Sequence, residues 1–223
     1  MSTHSSTSAA GRRRAGPTAA QRRARERRRT MRRRRLIGVG AVLLLAVIAV
    51  AVVSGRADQA VRNITLPLEH QDIIRQQAAA KGLDPALVAA VIYRETHFRP
   101  RTSSAGAEGL MQITPDTAKF IANKSGGTAF TVADLATPKV NIAYGSWYLR
   151  YVMQRYDGNE VLALAAYNAG EGNVDKWVAA AGAAGHDFGL KDIPFPETRA
   201  YVENVLASRG EYRATYAREL GLD

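Results

Sequence analysis

The chain begins with a strongly polar segment, which is followed by one long apolar run. Residues 36–53 read LIGVGAVLLLAVIAVAVV, eighteen positions without a charged side chain. As a helix this run spans about 27 Å at ~1.5 Å per residue, which matches the hydrocarbon core of a bilayer. It has no polar face, so a helix packed inside a water-soluble domain is disfavoured. The pattern predicts a single transmembrane helix.

After residue 66 the pattern changes to amphipathic stretches separated by glycine and proline. Apolar periodicity and capping residues predict helices over residues 67–80, 84–95, 114–122, 140–156, 160–167, 173–180 and 197–218. No segment shows the β-branched alternation of a strand, so no strand is expected. We therefore expect an all-α domain over residues 67–223, joined to the apolar run by a linker over residues 54–66.

The predicted helix over residues 84–95 places a carboxylate in line with apolar side chains. Glu95 lies four residues after Val91 and three after Ile92, so it continues their stripe. Burial, and a position near the negative end of the helix dipole, both predict a raised pKa for Glu95, which suits a general acid. On periodicity alone, an ordinary glutamate paired with Arg94 or Arg99 is the favoured interpretation.

The motifs that follow reverse this preference. The chain reads ETHFRPRTSSAGAEGLMQITPDTA over residues 95–118, NIAYGSWYL over 141–149, AAYNAGEGNV over 165–174 and PFPETRAYVENV over 194–205. This ordered set resembles the soluble lytic transglycosylase family, which is related to goose-type lysozyme, over roughly residues 67–218. Two departures are Thr96, where the family has serine, and a loop between Pro100 and Ser103 that is one residue shorter.

The resemblance implies a mainly helical, lysozyme-like domain that cleaves peptidoglycan, with Glu95 as the catalytic acid and base. It also implies a set of residues that bind the glycan strand: Ser103, Met111, Gln112, Tyr144, Ala166, Tyr167, Asn168 and Glu197. The implied reaction breaks the β-1,4 bond between N-acetylmuramic acid and N-acetylglucosamine and leaves 1,6-anhydro ends. No cofactor is expected.

The number of candidate carboxylates bears on the mechanism. Most glycosidases use two carboxylates, whereas here Glu95 alone continues an apolar stripe. Glu108, Asp116 and Glu197 are weaker candidates for a second. A single acid fits a substrate-assisted route. The alternatives are a hydrolytic muramidase of the same fold, in which water attacks, and a catalytically idle peptidoglycan-binding tether.

The charge of the chain is concentrated before the apolar run. Thirteen of the 31 basic residues, all arginines, but only one of the 20 acids lie in residues 1–35, so this tail carries +12 and the remainder −1. The tail is expected to be disordered and cytoplasmic, because basic residues flank the inner end of a membrane helix. It has no aromatic residue for stacking on bases, so a nucleic-acid-binding arm is disfavoured.

The composition also limits the location and the chemistry. The chain has no cysteine, which excludes disulfides, thiol nucleophiles and a lipid-modified cysteine. Its histidines lack metal-ligand spacing, so no metal site is expected. The apolar run is longer than a typical signal-peptide core, so an uncleaved anchor is favoured over a cleaved secretory signal. We expect a single-pass protein of the bacterial cell membrane with an extracytoplasmic catalytic domain; partners among cell-wall synthesis or division proteins are unknown.

Overall fold

The structure, a computed structural model, describes residue 50 and residues 64–126 and 130–222. The basic tail, nearly all of the apolar run over residues 36–53 and most of the linker therefore lie outside the described residues. Within the described part, no helix is both long and apolar enough to cross a membrane.

The described part of the domain is mainly helical, as the sequence predicts. The helices are α1 (Gln71–Lys81), α2 (Pro85–Thr96), α3 (Pro115–Ser125), α4 (Pro138–Arg155), α5 (Glu160–Ala169), α6 (Glu171–Ala183), α7 (Pro196–Thr215) and α8 (Ala217–Leu220). Short 3₁₀ turns occupy Val132–Ala136 and Leu190–Asp192. Several helices start at expected caps: the Asp84 carboxylate accepts from the Ala86 amide at 2.9 Å, and the Thr114 hydroxyl from the Thr117 amide at 3.2 Å.

Two expectations about the elements are wrong. The first helix begins at Gln71 rather than at residue 67, because His70 adopts a left-handed conformation (φ 56°) that interrupts a helix. The expectation that the domain has no strand also fails, since β1 (Arg101–Thr102) and β2 (Glu108–Gly109) form an antiparallel hairpin. Strands of two residues are too short to show an alternating pattern, so the sequence carries no signal for them.

Helix α2 is the centre of the hydrophobic core. Every residue from Ala86 to Ile92 is at most 2% exposed, so this helix is buried on all sides rather than along one stripe. It packs against α1 and, most extensively, against α7, while α5 packs against α4, α6 and α7. A helix held on all sides is a rigid support, and Glu95 lies in its last turn.

Three tyrosine hydroxyls fasten the segment that enters the domain. Tyr93 of α2 donates to the carbonyl of Thr65 at 2.9 Å. Tyr216 and Tyr212 donate to the next two carbonyls, those of Leu66 and Pro67, at 2.7 and 2.6 Å. The end of the expected linker is therefore bound to the domain surface formed by α2 and α7.

Candidate active site

Glu95 lies half-buried at the end of α2, and Tyr201 of α7 holds its carboxylate. The Tyr201 hydroxyl donates to Glu95 Oε1 at 2.8 Å. Burial raises the pKa of Glu95 from its ordinary value of 4.5 to about 7, although the Tyr201 hydrogen bond and the charge of Arg101 act in the opposite direction. Near neutral pH this carboxyl group is therefore present in both protonation states, as a group that first donates and then accepts a proton requires.

The structure does not support an ordinary ion pair for Glu95. Among the described residues, none of the salt bridges involves Glu95, and Arg94 and Arg99 form none at all. Arg101 instead donates from Nη2 to the backbone carbonyl of Glu95 at 3.0 Å. The helix ends at His97, which takes a left-handed conformation (φ 52°) and lets the chain turn into the hairpin.

The side chain of Glu95 lines a cavity of about 240 Å³. We call it the catalytic cavity, and its lining is mixed, with amide, hydroxyl and aromatic groups: Glu95, Ala107, Gln112, Ile113, Thr114, Thr117, Tyr148, Tyr167 and Asn168. Glu95 is the single carboxylate among these described lining residues. The cavity therefore offers one proton donor surrounded by groups that hydrogen-bond hydroxyls and amides.

Tyr167 and Asn168 reach the catalytic cavity from the last turn of α5, as the resemblance implies. The Tyr167 hydroxyl donates to the carbonyl of Met111 at 3.0 Å, and burial raises its pKa well above the ordinary value. The Asn168 Oδ1 atom accepts from the Thr198 hydroxyl at 2.8 Å, which ties α5 to α7. Both side chains are thus fixed in place before any ligand binds.

Gln112 also lines the catalytic cavity, in a strained backbone conformation. Its φ is 48°, which a residue other than glycine rarely adopts. The side-chain Nε2 atom donates to the carbonyls of Arg101 and Gly109 at 2.8 and 2.9 Å. Both amide protons are used in this way, so the side-chain oxygen is the atom left to accept a hydrogen bond from a ligand.

Asn141 fixes the loop that carries Gln112. This buried side chain of α4 donates to the carbonyls of Glu108 and Leu135 at 2.8 and 3.1 Å, and it accepts from the amide of Met111 at 2.8 Å. A Cβ atom at Gly109, where φ is 75°, would lie 2.2 Å from Asn141 Nδ2, so a glycine is required there. The asparagine of one motif thus determines the shape of another.

The side chain of Met111 does not line the catalytic cavity. Its side chain is fully buried, and a Cβ at Gly145 would lie 2.3 Å from its sulfur. A role for this side chain in the sugar groove stays a prediction. Met111 contributes to the site through its backbone, which binds Asn141 and Tyr167.

Four other expected site residues do not line the catalytic cavity. Ser103 closes the hairpin turn, where its hydroxyl accepts from the Ala107 amide at 3.0 Å. Tyr144 stacks on Phe130, with ring centroids 4.5 Å apart. Ala166 is fully buried, and Glu197 is exposed at the start of α7. A role for these four residues in binding glycan stays a prediction.

Sequence reasoning missed Tyr148 and Tyr201. Tyr148 lies four residues after Tyr144 on the same face of α4, and it is Tyr148 that lines the catalytic cavity. Tyr201 lies in the motif over residues 194–205, and its hydroxyl donates to Glu95 Oε1. The departure at Thr96 also has a structural role, since its buried hydroxyl donates to the carbonyl of Leu110 at 2.9 Å and fastens α2 to the loop.

The described residues were also searched for groups of side chains that could bind a metal ion. Within residues 64–126 and 130–222, no group of three or more histidine or carboxylate side chains is placed to hold a metal ion.

The chain is similar in sequence to known lytic murein transglycosylases. The chain is 36% identical over 150 residues to the soluble lytic murein transglycosylase of Escherichia coli, covering 66% of this chain and 23% of that protein. It is 37% identical over 109 residues to membrane-bound lytic murein transglycosylase F of Desulfosudis oleivorans, covering 46% and 22%. The chain thus spans about a quarter of the length of these curated relatives.

A solved structure shares the fold. An inactive glutamate-to-glutamine mutant of the lytic transglycosylase Slt from Pseudomonas aeruginosa superposes with a TM-score of 0.62 at 35% identity, covering 69% of this chain and 25% of that one. The family model described as Transglycosylase SLT domain matches residues 72–187, slightly more than half of the chain. This match ends before α7, although α7 supplies the hydroxyl that holds Glu95. The chain belongs to the transglycosylase SLT domain family.

Proposed function

We propose that this chain is a peptidoglycan lytic transglycosylase that acts through Glu95. One observation carries the proposal: a half-buried carboxyl group with a pKa of about 7 is fixed at a cavity in which it is the single carboxylate among the described lining residues. The glutamate-to-glutamine change in the inactive Pseudomonas aeruginosa structure supports a need for one such acid in that protein. In the proposal, Glu95 is the acid that this chain needs for activity.

The proposed reaction has two proton transfers, both through Glu95. Protonated Glu95 donates its proton to the oxygen of the bond between N-acetylmuramic acid and N-acetylglucosamine, and the N-acetylglucosamine portion departs with a new hydroxyl group. The oxygen of the neighbouring 2-acetamido group bonds to C1 and stabilises the positive charge. Ionised Glu95 then takes the proton of the 6-hydroxyl, whose oxygen displaces the acetamido oxygen at C1. The product is a 1,6-anhydro end, and Glu95 regains its proton.

The neighbours of Glu95 have separate tasks in this scheme. Tyr201 aims the carboxylate, because its hydroxyl donates to Oε1. The side-chain oxygen of Gln112 can accept from a sugar hydroxyl or acetamido N–H, and the side-chain Nδ2 of Asn168 can donate to a sugar oxygen. Tyr148 and Tyr167 supply aromatic walls on which a sugar ring can pack.

The proposal includes an anchor in the cell membrane. It rests on the uncharged run over residues 36–53 and on the thirteen arginines before it, which orient the N-terminus toward the cytoplasm. The relative from Desulfosudis oleivorans is named as membrane-bound. The catalytic domain would then face the cell wall.

Activity on purified peptidoglycan tests the proposal. Glu95→Gln keeps the shape of the side chain but removes its proton transfer, so turnover should fall by about 10²–10⁴-fold. Glu203→Gln, an exposed glutamate on the same helix as Tyr201, is the matched control and should release fragments at the wild-type rate. A Glu95→Gln protein that digests peptidoglycan as fast as wild type would refute the role of Glu95.

A further inference from the structure

A second concave surface lies on α4, beside the catalytic cavity. Trp147, Arg150, Tyr151 and Gln154 line a cavity of about 250 Å³, which we call the aromatic cavity. The rings of Trp147 and Tyr151 are parallel to within 7°, with centroids 5.7 Å apart. Tyr151 also stacks on Tyr148, at 6.1 Å, and Tyr148 lines the catalytic cavity. A pair of stacked rings thus connects the walls of the two cavities.

A larger cavity adjoins the aromatic one. It measures about 530 Å³ and shares Arg150 and Gln154 with the aromatic cavity; we call it the cationic cavity, because Lys81 also lines it. Leu83 and Met153 supply apolar walls. One carboxylate, Asp157, lines it as well. Within the described residues, however, no salt bridge joins Asp157 or any other acid to Lys81 or Arg150.

The two cations of the cationic cavity disfavour each other. Burial lowers the pKa of Lys81, and the positive charge of Arg150 lowers it further. The ammonium group of Lys81 donates to the neutral side chain of Gln77. Two positive charges that face one cavity without a bridging carboxylate would be stabilised by a bound anion, through charge-assisted hydrogen bonds.

The chemistry of the two cavities fits one ligand with an apolar ring face and a negative group. Aromatic side chains offer large apolar faces, on which the C–H face of a pyranose ring can pack. A guanidinium group with an ammonium beside it matches a carboxylate. A glycan strand that carries peptides presents both groups in succession, because sugar rings alternate along the strand and the attached peptides end in carboxylates.

We propose that the aromatic and cationic cavities form a second substrate site, which binds a peptide-bearing part of the glycan strand away from the bond being cleaved. In this site a sugar ring packs on Trp147 and Tyr151. A carboxylate of the attached peptide is bound by Arg150 and Lys81. This inference rests on the proposed function, since it takes peptidoglycan as the substrate.

The site makes cleavage sensitive to the peptides on the strand. Tyr148 of the catalytic cavity and Tyr151 of the aromatic cavity stack on each other, and in the proposed site the strand crosses these two rings between Glu95 and Trp147. Peptide-bearing strands then gain contacts that peptide-free strands lack. The preference should appear in binding rather than in the chemical step, since neither cavity contains Glu95.

Binding of two soluble glycan preparations to the full chain tests the site. In a Glu95→Gln background, which does not consume the strands, Arg150→Glu should weaken binding of peptide-bearing strands by about tenfold, which equals about 1.4 kcal/mol. Binding of N-acetylglucosamine oligomers, which carry neither peptides nor carboxylates, should not change. Trp147→Ala should weaken both, because it removes the ring contact. Lys139→Glu, an exposed cation near the start of α4 that lines neither cavity, controls for overall charge.

Two further measurements separate the possible failures. Arg150→Gln and thermal unfolding of each variant exclude a loss of fold, since Arg150 is exposed. With Glu95 intact, Lys139→Glu should cleave short peptide-free glycans at the wild-type rate. Equal loss of affinity with Lys139→Glu, or no loss with Arg150→Glu, would overturn the second site. A wild-type chain that cleaves no glycan at all would instead overturn the proposed function.

Discussion

Replacing Glu95 by glutamine should stabilise the protein and inactivate it at the same time. Burial raises the pKa of this carboxyl group from 4.5 to about 7, so the ionised form is disfavoured in the folded state. At ~1.4 kcal/mol per unit, a difference of this size corresponds to about 3 kcal/mol. Below pH 4.5 the neutral Glu95 side chain costs the folded wild type no stability. As the pH rises from 4.5 through 7, the free energy of unfolding of the wild type falls by about 3 kcal/mol.

The glutamine variant lacks this pH dependence, because an amide does not ionise. The difference in the free energy of unfolding between variant and wild type should therefore be small at pH 4. It should grow by ~1.4 kcal/mol per pH unit between 4.5 and 7, and stay constant near about 3 kcal/mol above pH 7.5. Urea unfolding of the purified full chain, followed by the fluorescence of Trp147 and Trp177, measures this difference.

The control for this experiment is Glu203→Gln, which replaces an exposed glutamate and should keep the pH profile of the wild type. A Glu95→Gln variant whose stability relative to wild type does not depend on pH would show that Glu95 is not a buried, protonatable group. A variant that is destabilised throughout would show that the carboxylate is a structural partner of Tyr201. Either result would remove the physical basis for a general acid at this position.

Other predictions address the neighbours of Glu95, the loop and the topology. Tyr201→Phe removes a hydrogen bond that lowers the pKa of Glu95, so the alkaline limb of the pH–rate profile should move to higher pH. The value of kcat should fall roughly 10–100-fold, because the carboxyl group is no longer held in position. An alkaline limb at the wild-type pH would contradict this contact. Gly109→Ala should lower the free energy of unfolding by about 1–3 kcal/mol, because its Cβ would overlap Asn141. Gly182→Ala, on the open surface of α6, should instead raise the free energy of unfolding by about 0.5–1 kcal/mol. Equal effects of the two substitutions in urea unfolding would contradict the packing argument. Protease added to intact spheroplasts should digest the domain after residue 66 and spare the arginine-rich tail, and a protected domain would exclude the proposed orientation.

The local signals in the sequence predict the helices well, since they depend on nearby residues. Asp84 followed by Pro85, and Thr114 followed by Pro115, start helices where the capping rules place them. The hairpin at residues 101–109 is different, because its two-residue strands are held by the turn at Ser103 and by the hydrogen bond from Asn141 to the carbonyl of Glu108. The Asn141 contact joins residues far apart along the chain, and a local pattern does not contain it.

The candidate site was predictable to the extent that motifs mark chemistry. Glu95, Gln112, Tyr167 and Asn168 reach the catalytic cavity as the resemblance implies. A motif does not say which of its residues face the ligand and which support the fold. Met111 is buried in the core, and Tyr148 rather than Tyr144 lines the cavity. Which of the two tyrosines faces the cavity depends on how α4 is turned against α5.

The reaction product tests the central claim most directly. Purified peptidoglycan, digested by the full chain in water labelled with ¹⁸O, should yield fragments that end in 1,6-anhydro-N-acetylmuramic acid and carry no label. Mass spectrometry distinguishes these from hydrolysis products, which are heavier by one water. The account predicts unlabelled anhydro ends from the wild type and a matching loss of all fragments with Glu95→Gln. Reducing N-acetylmuramic acid ends that contain ¹⁸O would contradict it and identify a hydrolytic muramidase.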